Sequence, residues 1–209
     1  MKKRGKVLAL CLCAVLLVAS SVFVTIAYLT STDSVTNTFT VGKVAITLDE
    51  AKVNEYGELK KNDQGECYRV KENKYKLIPG HEYTKDPTVH VGSESENCWI
   101  FVKVENGISG IEGGTTIASQ MENKGWEKLK VDDAEVPNVY YYNGIESDNK
   151  VGKIATAGNN YVVFDNFTVK SDADVSGYAG KIIAITAYAI QADGFGTAAE
   201  AWATAGSSF

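Results

Sequence analysis

The sequence predicts an all-β protein, an antiparallel β-sandwich with short peripheral helices. Short apolar runs recur at spacings of roughly 8–15 residues, with glycine, proline and Asn-Gly turn signals between them. The composition agrees, because 19 glycines and 11 tyrosines stand beside only 3 prolines, as expected for many short strands joined by turns. No period of about 20–50 residues recurs, which argues against a solenoid.

Short runs rich in apolar residues predict each strand in order. The predicted strands are 44–48, 67–70, 75–77, Thr88–Val91, 98–104, 126–129, 139–142, 154–157, 161–169 and 181–191. The run 98–104 is apolar on both faces at its start, which indicates a central strand. The polar stretch 49–66 is typical of a loop or a ragged hairpin. Short helices are predicted at 117–122 and 197–205.

The N-terminus has the features of a secretory signal. Four basic residues precede an uncharged run over 7–27, and Thr25 and Ala27 supply small side chains at the −3 and −1 positions of a cleavage site. Cleavage would make Tyr28 the first residue. We therefore predict a signal-peptide helix at 1–27 and one sandwich domain at 28–209. The alternative is an uncleaved anchor, since the uncharged run is long enough to span a bilayer.

The charge of the exported part argues against one class of partner. The whole chain has a net charge of −5, and residues 1–27 contain four of its 21 basic residues and none of its 26 acidic ones, leaving −9. An acidic domain repels polyanions, so a nucleic acid is not expected to bind.

The stretch 28–41 would form an unusually long two-faced strand. Its apolar side chains include Leu29, Val35 and Phe39 at odd positions, and the even positions from 30 to 40 carry threonine and serine. At roughly 3.3 Å per residue it would reach about 46 Å. It could form two short strands with a bend at 31–34, or an arm that pairs with something outside its own domain.

Only Cys67 and Cys98 remain in the exported part. Export permits a disulfide between them, and two separate buried thiols are the alternative.

Motifs for catalysis, metals or cofactors are missing from the sequence. Neither His81 nor His90 belongs to an HExxH motif, and no GxSxG, GxGxxG or P-loop motif occurs. We expect surface or strand-edge histidines, no catalytic residues, no metal and no cofactor.

Several segments together resemble the TasA and camelysin (CalY) family. The junction TIAYLTSTDSVTNTFTVGKVAITLDE resembles exported proteins that carry a SipW-type signal, and KLIPGHEYTKDPTVHV resembles a segment of that family. GWEKL, NVYYYNGI, ITAYAIQADGF and AEAW are similar to its clostridial relatives. His81 and Glu82 stand where the family usually has an acidic pair, so a calcium role is unsupported.

The resemblance implies a jelly-roll sandwich, secretion to the cell surface or extracellular matrix, and a role in biofilm-matrix fibres. The segment from Tyr28 to about Phe39 would insert as a donor strand into the next subunit, and Leu29, Val35 and Phe39 would fill its acceptor groove. The implied partners are a SipW-type signal peptidase and further copies of the chain or a paralogue.

Two alternative functions remain. Camelysin has been classed as a metalloprotease, which makes a cell-surface protease one alternative. The other is a monomeric surface adhesin or accessory matrix protein, with Trp99, Trp126 or Tyr140 in a binding face.

Overall fold

The computed structural model describes residues 5–6, 11–17, 43–144 and 155–205. The chain divides into two units, Met1–Thr40 and Val41–Phe209. In the first unit, residues 11–17 are helical and their side chains are exposed. Within these described ranges, no helix is both long and apolar enough to cross a membrane.

The second unit is mostly β, as predicted. Its strands are β1 (Ile46–Ala51), β2 (Arg69–Val70), β3 (Glu82–Thr84), β4 (Thr88–Val91), β5 (Cys98–Asn106), β6 (Glu112–Gly113), β7 (Trp126–Val131), β8 (Ala134–Tyr142), β9 (Asn160–Val162), β10 (Asn166–Val169) and β11 (Ile183–Gln191). Two short helices, α1 (Ile117–Asn123) and α2 (Ala198–Ala205), confirm the two predicted helical stretches.

The strands form three antiparallel sheets, an arrangement consistent with an all-β sandwich. Their orders are β2-β1-β4-β9 in the first sheet, β3-β10-β6 in the second and β11-β5-β8-β7 in the third. Along the longest pair, Ile183 of β11 lies opposite Asn106 of β5, and Gln191 lies opposite Cys98.

Strand β5 is central, as its sequence predicts. It lies between β11 and β8, and alternate side chains such as Ile100 and Val102 enter the principal core together with residues of the other two sheets. The opposite face carries Trp99 and Phe101, which pack with Ala201 of α2 in a second cluster. A strand covered on both faces needs apolar residues at every position, which explains the CWIFV run.

Two strand predictions need correction. The predicted strand 75–77 is irregular and belongs to none of the three sheets. The Lys76 backbone N–H donates to the Glu55 carbonyl of a turn at 2.9 Å, and the Tyr75 hydroxyl donates to the carbonyl of Thr84, at the end of β3, at 3.1 Å. The predicted single strand 161–169 is two strands in different sheets. The chain turns between them at Asp165, whose backbone N–H donates to the Gln120 Oε1 atom of α1 at 3.1 Å.

The predictions for the stretches 154–157 and 49–66 are confirmed only in part. In the stretch 154–157, residue 154 lies outside the described residues, and 155–157 contribute one isolated bridge, between Ala155 and Cys98. The polar stretch 49–66 includes the end of β1 and then a ragged hairpin, with isolated bridges from Val53 to Leu59 and from Lys61 to Cys67.

Candidate functional site: an open groove beside the last strand

Strand β11 is apolar but poorly covered. None of its nine residues is buried, whereas six of the nine residues of its neighbour β5 are. Ile183, Ile185 and Ala187 alternate along the face toward the principal core and are only partly buried there. Within the described part of the chain, β11 pairs with β5 alone. It is therefore an edge strand whose apolar side chains lack a full cover.

A groove of about 1020 Å³ follows this edge, and we call it the β11 groove. One wall is the continuous run 178–187, and the other is made by 48–50 of β1 and the irregular segment 71–75. Its apolar lining includes Leu48, Leu77, Ile108, Phe167, Val175, Ile183 and Ile185. Successive residues of β11 point to opposite faces, yet all of 183–187 line the groove. The backbone edge of the strand therefore borders the groove.

The edges of two sheets meet at this groove. In an antiparallel pair, every second residue turns its N–H and C=O away from the partner strand, so β11 directs such groups away from β5. On its side away from β4, β1 pairs with β2 only at Glu50 and Ala51. The preceding Leu48 carbonyl accepts a hydrogen bond from the Lys71 ammonium group instead. Strands β1 and β11 approach within 8 Å between Cα atoms. A strand inserted between them needs about 4.8 Å on each side, so it fits only where the two edges lie farther apart. What the groove offers an extended peptide is the polar backbone edge of β11.

A charged network fixes the outer part of the β1 wall. The Arg69 guanidinium contacts Asp49 at 2.8 Å and Asp86 at 2.7 Å. His90 Nε2 lies 2.8 Å from the same Asp49 carboxylate. Burial raises the pKa of Asp49, but hydrogen bonds from His90 and Arg69 outweigh that effect and lower the pKa below its ordinary value. The Asp86 carboxylate also accepts from the Ala51 backbone N–H at 2.6 Å, so the network ties β1 to its neighbours.

A second polar group is buried deeper in the same wall. Glu50 and Lys85 are 5% and 7% exposed, and Lys85 Nζ lies 2.5 Å from Glu50 Oε2. The amide of Asn73 donates to Glu50 Oε1 at 2.9 Å. The Tyr75 ring covers this group, with its centroid 6.0 Å from Lys85 Nζ. Burial, together with the charge of Glu50, raises the pKa of the Tyr75 phenol well above its ordinary value.

The residues singled out at the N-terminus lie outside the described residues. This applies to Thr25, Ala27 and Tyr28 of the cleavage site, and to Leu29, Val35 and Phe39 of the arm. The β11 groove itself was not foreseen, because the sequence shows that 181–191 is an apolar strand but not that it lies at a sheet edge. The only signal was the nearly continuous apolar run KIIAITAYAIQ, which a fully covered strand would share.

The two cysteines are both free thiols in the structure. Cys98 is buried at the start of β5, and burial raises the pKa of its thiol to about 11. Cys67 is only partly buried, at the bridge to Lys61 in the ragged hairpin. No disulfide therefore joins Cys67 to Cys98 in this structure.

The two histidines serve separate local contacts. His81 Nε2 lies 2.8 Å from the Tyr56 carbonyl, and His90 is held between Asp49 and Asn160, with its Nδ1 atom 2.6 Å from Asn160 Oδ1. Across the residues that the structure describes, no three His, Cys, Asp or Glu side chains form a group able to hold a metal ion.

Comparison with known proteins assigns no family, since no family model, curated protein or solved structure matches this chain. The function must therefore be argued from the groove and from the sequence.

Proposed function

We propose that the protein is an exported, non-enzymatic structural subunit of extracellular biofilm-matrix fibres, built on a jelly-roll β-sandwich. The arm 28–41 of one subunit inserts as a donor strand into the β11 groove of the next. The observation that carries this proposal is the groove itself, which runs along an edge of β11 that pairs with no other strand of the described residues. An uncovered apolar edge is a template for strand addition, and natural proteins usually protect such edges.

The arm has the chemistry that the groove requires. An added strand gains main-chain hydrogen bonds from β11, and its alternate side chains set the register. Leu29, Val35 and Phe39 all lie at odd positions and would face the apolar lining together. Each would contribute about 1.5–3 kcal/mol on burial. Ordering the arm opposes this gain by about 1–2 kcal/mol per residue, so both the side chains and the backbone bonds are needed.

A subunit with one arm and one groove forms a head-to-tail contact. Such a contact does not close on itself, so it propagates into a filament. The next subunit is another copy of this chain or a paralogue. While residues 1–27 remain attached, the arm is tied to the membrane. Cleavage between Ala27 and Tyr28 by a SipW-type peptidase releases the arm, which makes the peptidase the assembly switch.

The test is electron microscopy of the chain that begins at Tyr28 beside one that begins at Val41. We expect fibres from the first only. A full-length arm carrying Leu29→Asp, Val35→Asp and Phe39→Asp is the matched control, and it should also form none. Fibres from the armless chain, or from the triple variant, would contradict donor-strand assembly. No fibres from any of them would favour a monomeric surface protein.

The proposed switch has its own test. Thr25→Lys and Ala27→Lys should leave the chain membrane-bound and the fibres absent in the producing cells. Normal fibres from these uncleaved variants would refute the role of cleavage.

A further inference from the structure

A lysine, an asparagine and a glutamate meet in the wall of the β11 groove. The two oxygens of one carboxylate hold the other two side chains: Glu50 Oε2 lies 2.5 Å from Lys85 Nζ, and Glu50 Oε1 accepts from Asn73 Nδ2 at 2.9 Å. The three residues come from different segments: Glu50 lies in β1, Asn73 in the irregular segment 71–75, and Lys85 in the link between β3 and β4. An amine, a carboxamide and a bridging carboxylate are together the components needed to make an amide bond between two side chains.

We propose that Lys85 and Asn73 form an intramolecular isopeptide bond, with Glu50 as the proton carrier. This inference does not depend on the fibre proposal. The alternative is a permanent buried ion pair, which typically gives little net stability because both charges lose their hydration.

The reaction balances without any oxidant or cofactor. Lys85 Nζ gives a proton to Glu50 Oε2, and the neutral amine attacks Asn73 Cγ to form the Nζ–Cγ bond. Glu50 then takes a second proton from Nζ as it delivers the first to Nδ2. The Cγ–Nδ2 bond breaks and ammonia leaves. Glu50 finally gives its remaining proton to the departing ammonia, so the products are the amide, ammonium and the original carboxylate.

The asparagine is held in the orientation that this step needs. Its Oδ1 atom accepts a hydrogen bond from the Val53 backbone N–H at 3.0 Å. This N–H would stabilise the negative charge that develops on Oδ1 during the attack. Its Nδ2 atom donates both to Glu50 and to the Ala51 carbonyl, the latter at 2.8 Å. The leaving nitrogen therefore faces the group that protonates it.

The surroundings exclude water and hold the groups together. Glu50 is 5% exposed and Lys85 is 7% exposed. The Tyr75 ring lies beside Lys85 Nζ and packs on Phe167, with 5.2 Å between ring centroids. Because both the amine and the carboxamide contact the one Glu50 carboxylate, their reaction is intramolecular, which lowers the barrier relative to a bimolecular encounter.

The bond would strengthen a part of the groove that lacks a ladder. Directly after the irregular segment 71–75, the Lys76 backbone N–H donates to the Glu55 carbonyl at 2.9 Å. This is a contact with a turn and not a sheet pairing. A covalent link from Asn73 to Lys85 would keep this wall in place.

Mass spectrometry of the purified full chain tests the proposal. The intact mass should fall below the sequence mass by one molecule of ammonia. Tryptic digestion should yield one branched peptide that joins the segments containing Asn73 and Lys85, with no cleavage after Lys85. Mapping matters because Asn143-Gly144 could also lose ammonia, by succinimide formation. Loss mapped to Asn143, or a full sequence mass after prolonged incubation of the folded protein, would overturn the proposal.

Variants assign the roles. Glu50→Gln and Lys85→Arg should both retain the full sequence mass, while Lys76→Arg, a neighbouring control, should still lose ammonia. Asn73→Asp should lose water instead and reach the same final mass as the wild-type product. If Glu50→Gln fails to fold, the wild-type mass and the Asn73→Asp product still decide the question.

Discussion

Replacing Ile185 with alanine should weaken fibre assembly more than its effect on folding alone would explain. Ile185 lines the β11 groove and is only partly buried in the isolated subunit. Removing a fully buried isoleucine side chain to alanine typically costs about 2–5 kcal/mol. Because Ile185 is partly exposed, we expect the free energy of unfolding to fall by about 1–2 kcal/mol. A donor strand would bury the remaining surface, so assembly should lose about 1 kcal/mol more, which is about fivefold in critical concentration.

Ile190→Ala is the matched control for this prediction. Ile190 lies on the same strand and is also partly buried, but it packs in the cluster under α2 and not in the groove. Urea denaturation should show a similar loss of stability in both variants. Sedimentation of fibres should show a raised critical concentration for Ile185→Ala only. Equal critical concentrations for the two variants would refute the assignment of the groove as the acceptor.

Two further predictions concern the domain itself. Trp126→Phe should lose about 1–3 kcal/mol more in unfolding free energy than Trp99→Phe: Trp126 Nε1 donates to the Val162 carbonyl at 2.8 Å, whereas the buried Trp99 Nε1 has no partner among the described residues. Equal losses in urea titrations would contradict this. The folded pKa of Asp49 lies below its ordinary 3.8, so its stabilisation is present above about pH 3.8 and is lost as the pH falls through the lower folded value. Asp49→Asn should flatten the acid side of the stability curve, and an unchanged curve would contradict the ion-pair network.

The sequence was informative where local pattern decides structure. The strand Thr88–Val91 was predicted with its exact bounds, and both helices within one residue at each end. The central position of β5 followed from apolar residues on both of its faces, because only a strand covered on two sides needs them.

The errors arose where tertiary contacts outweigh pattern. The run 161–169 is apolar enough for one strand, but hydrogen bonds to Gln120 accompany the turn at Asp165. The segment around Tyr75 has strand-forming residues, yet the Lys76 backbone N–H bonds the Glu55 carbonyl of a turn, and the Tyr75 hydroxyl bonds the end of β3. Glu50 and Lys85 are 35 residues apart in the sequence, and no local rule pairs them. The groove is likewise a product of sheet order, which alternation within one strand does not reveal.

The most direct test of the donor-strand account is amide hydrogen exchange on β11. The measurement compares residues 183–187 in fibres of the chain from Tyr28 with the same residues in the armless chain from Val41. Strand β5 serves as the internal reference, since most of it is already buried. The account predicts that the outward-facing amides of 183–187 exchange much more slowly in the fibre, while β5 changes little. Fibres in which 183–187 exchange as fast as in the armless chain would contradict it, because the groove would then be empty in the assembled state.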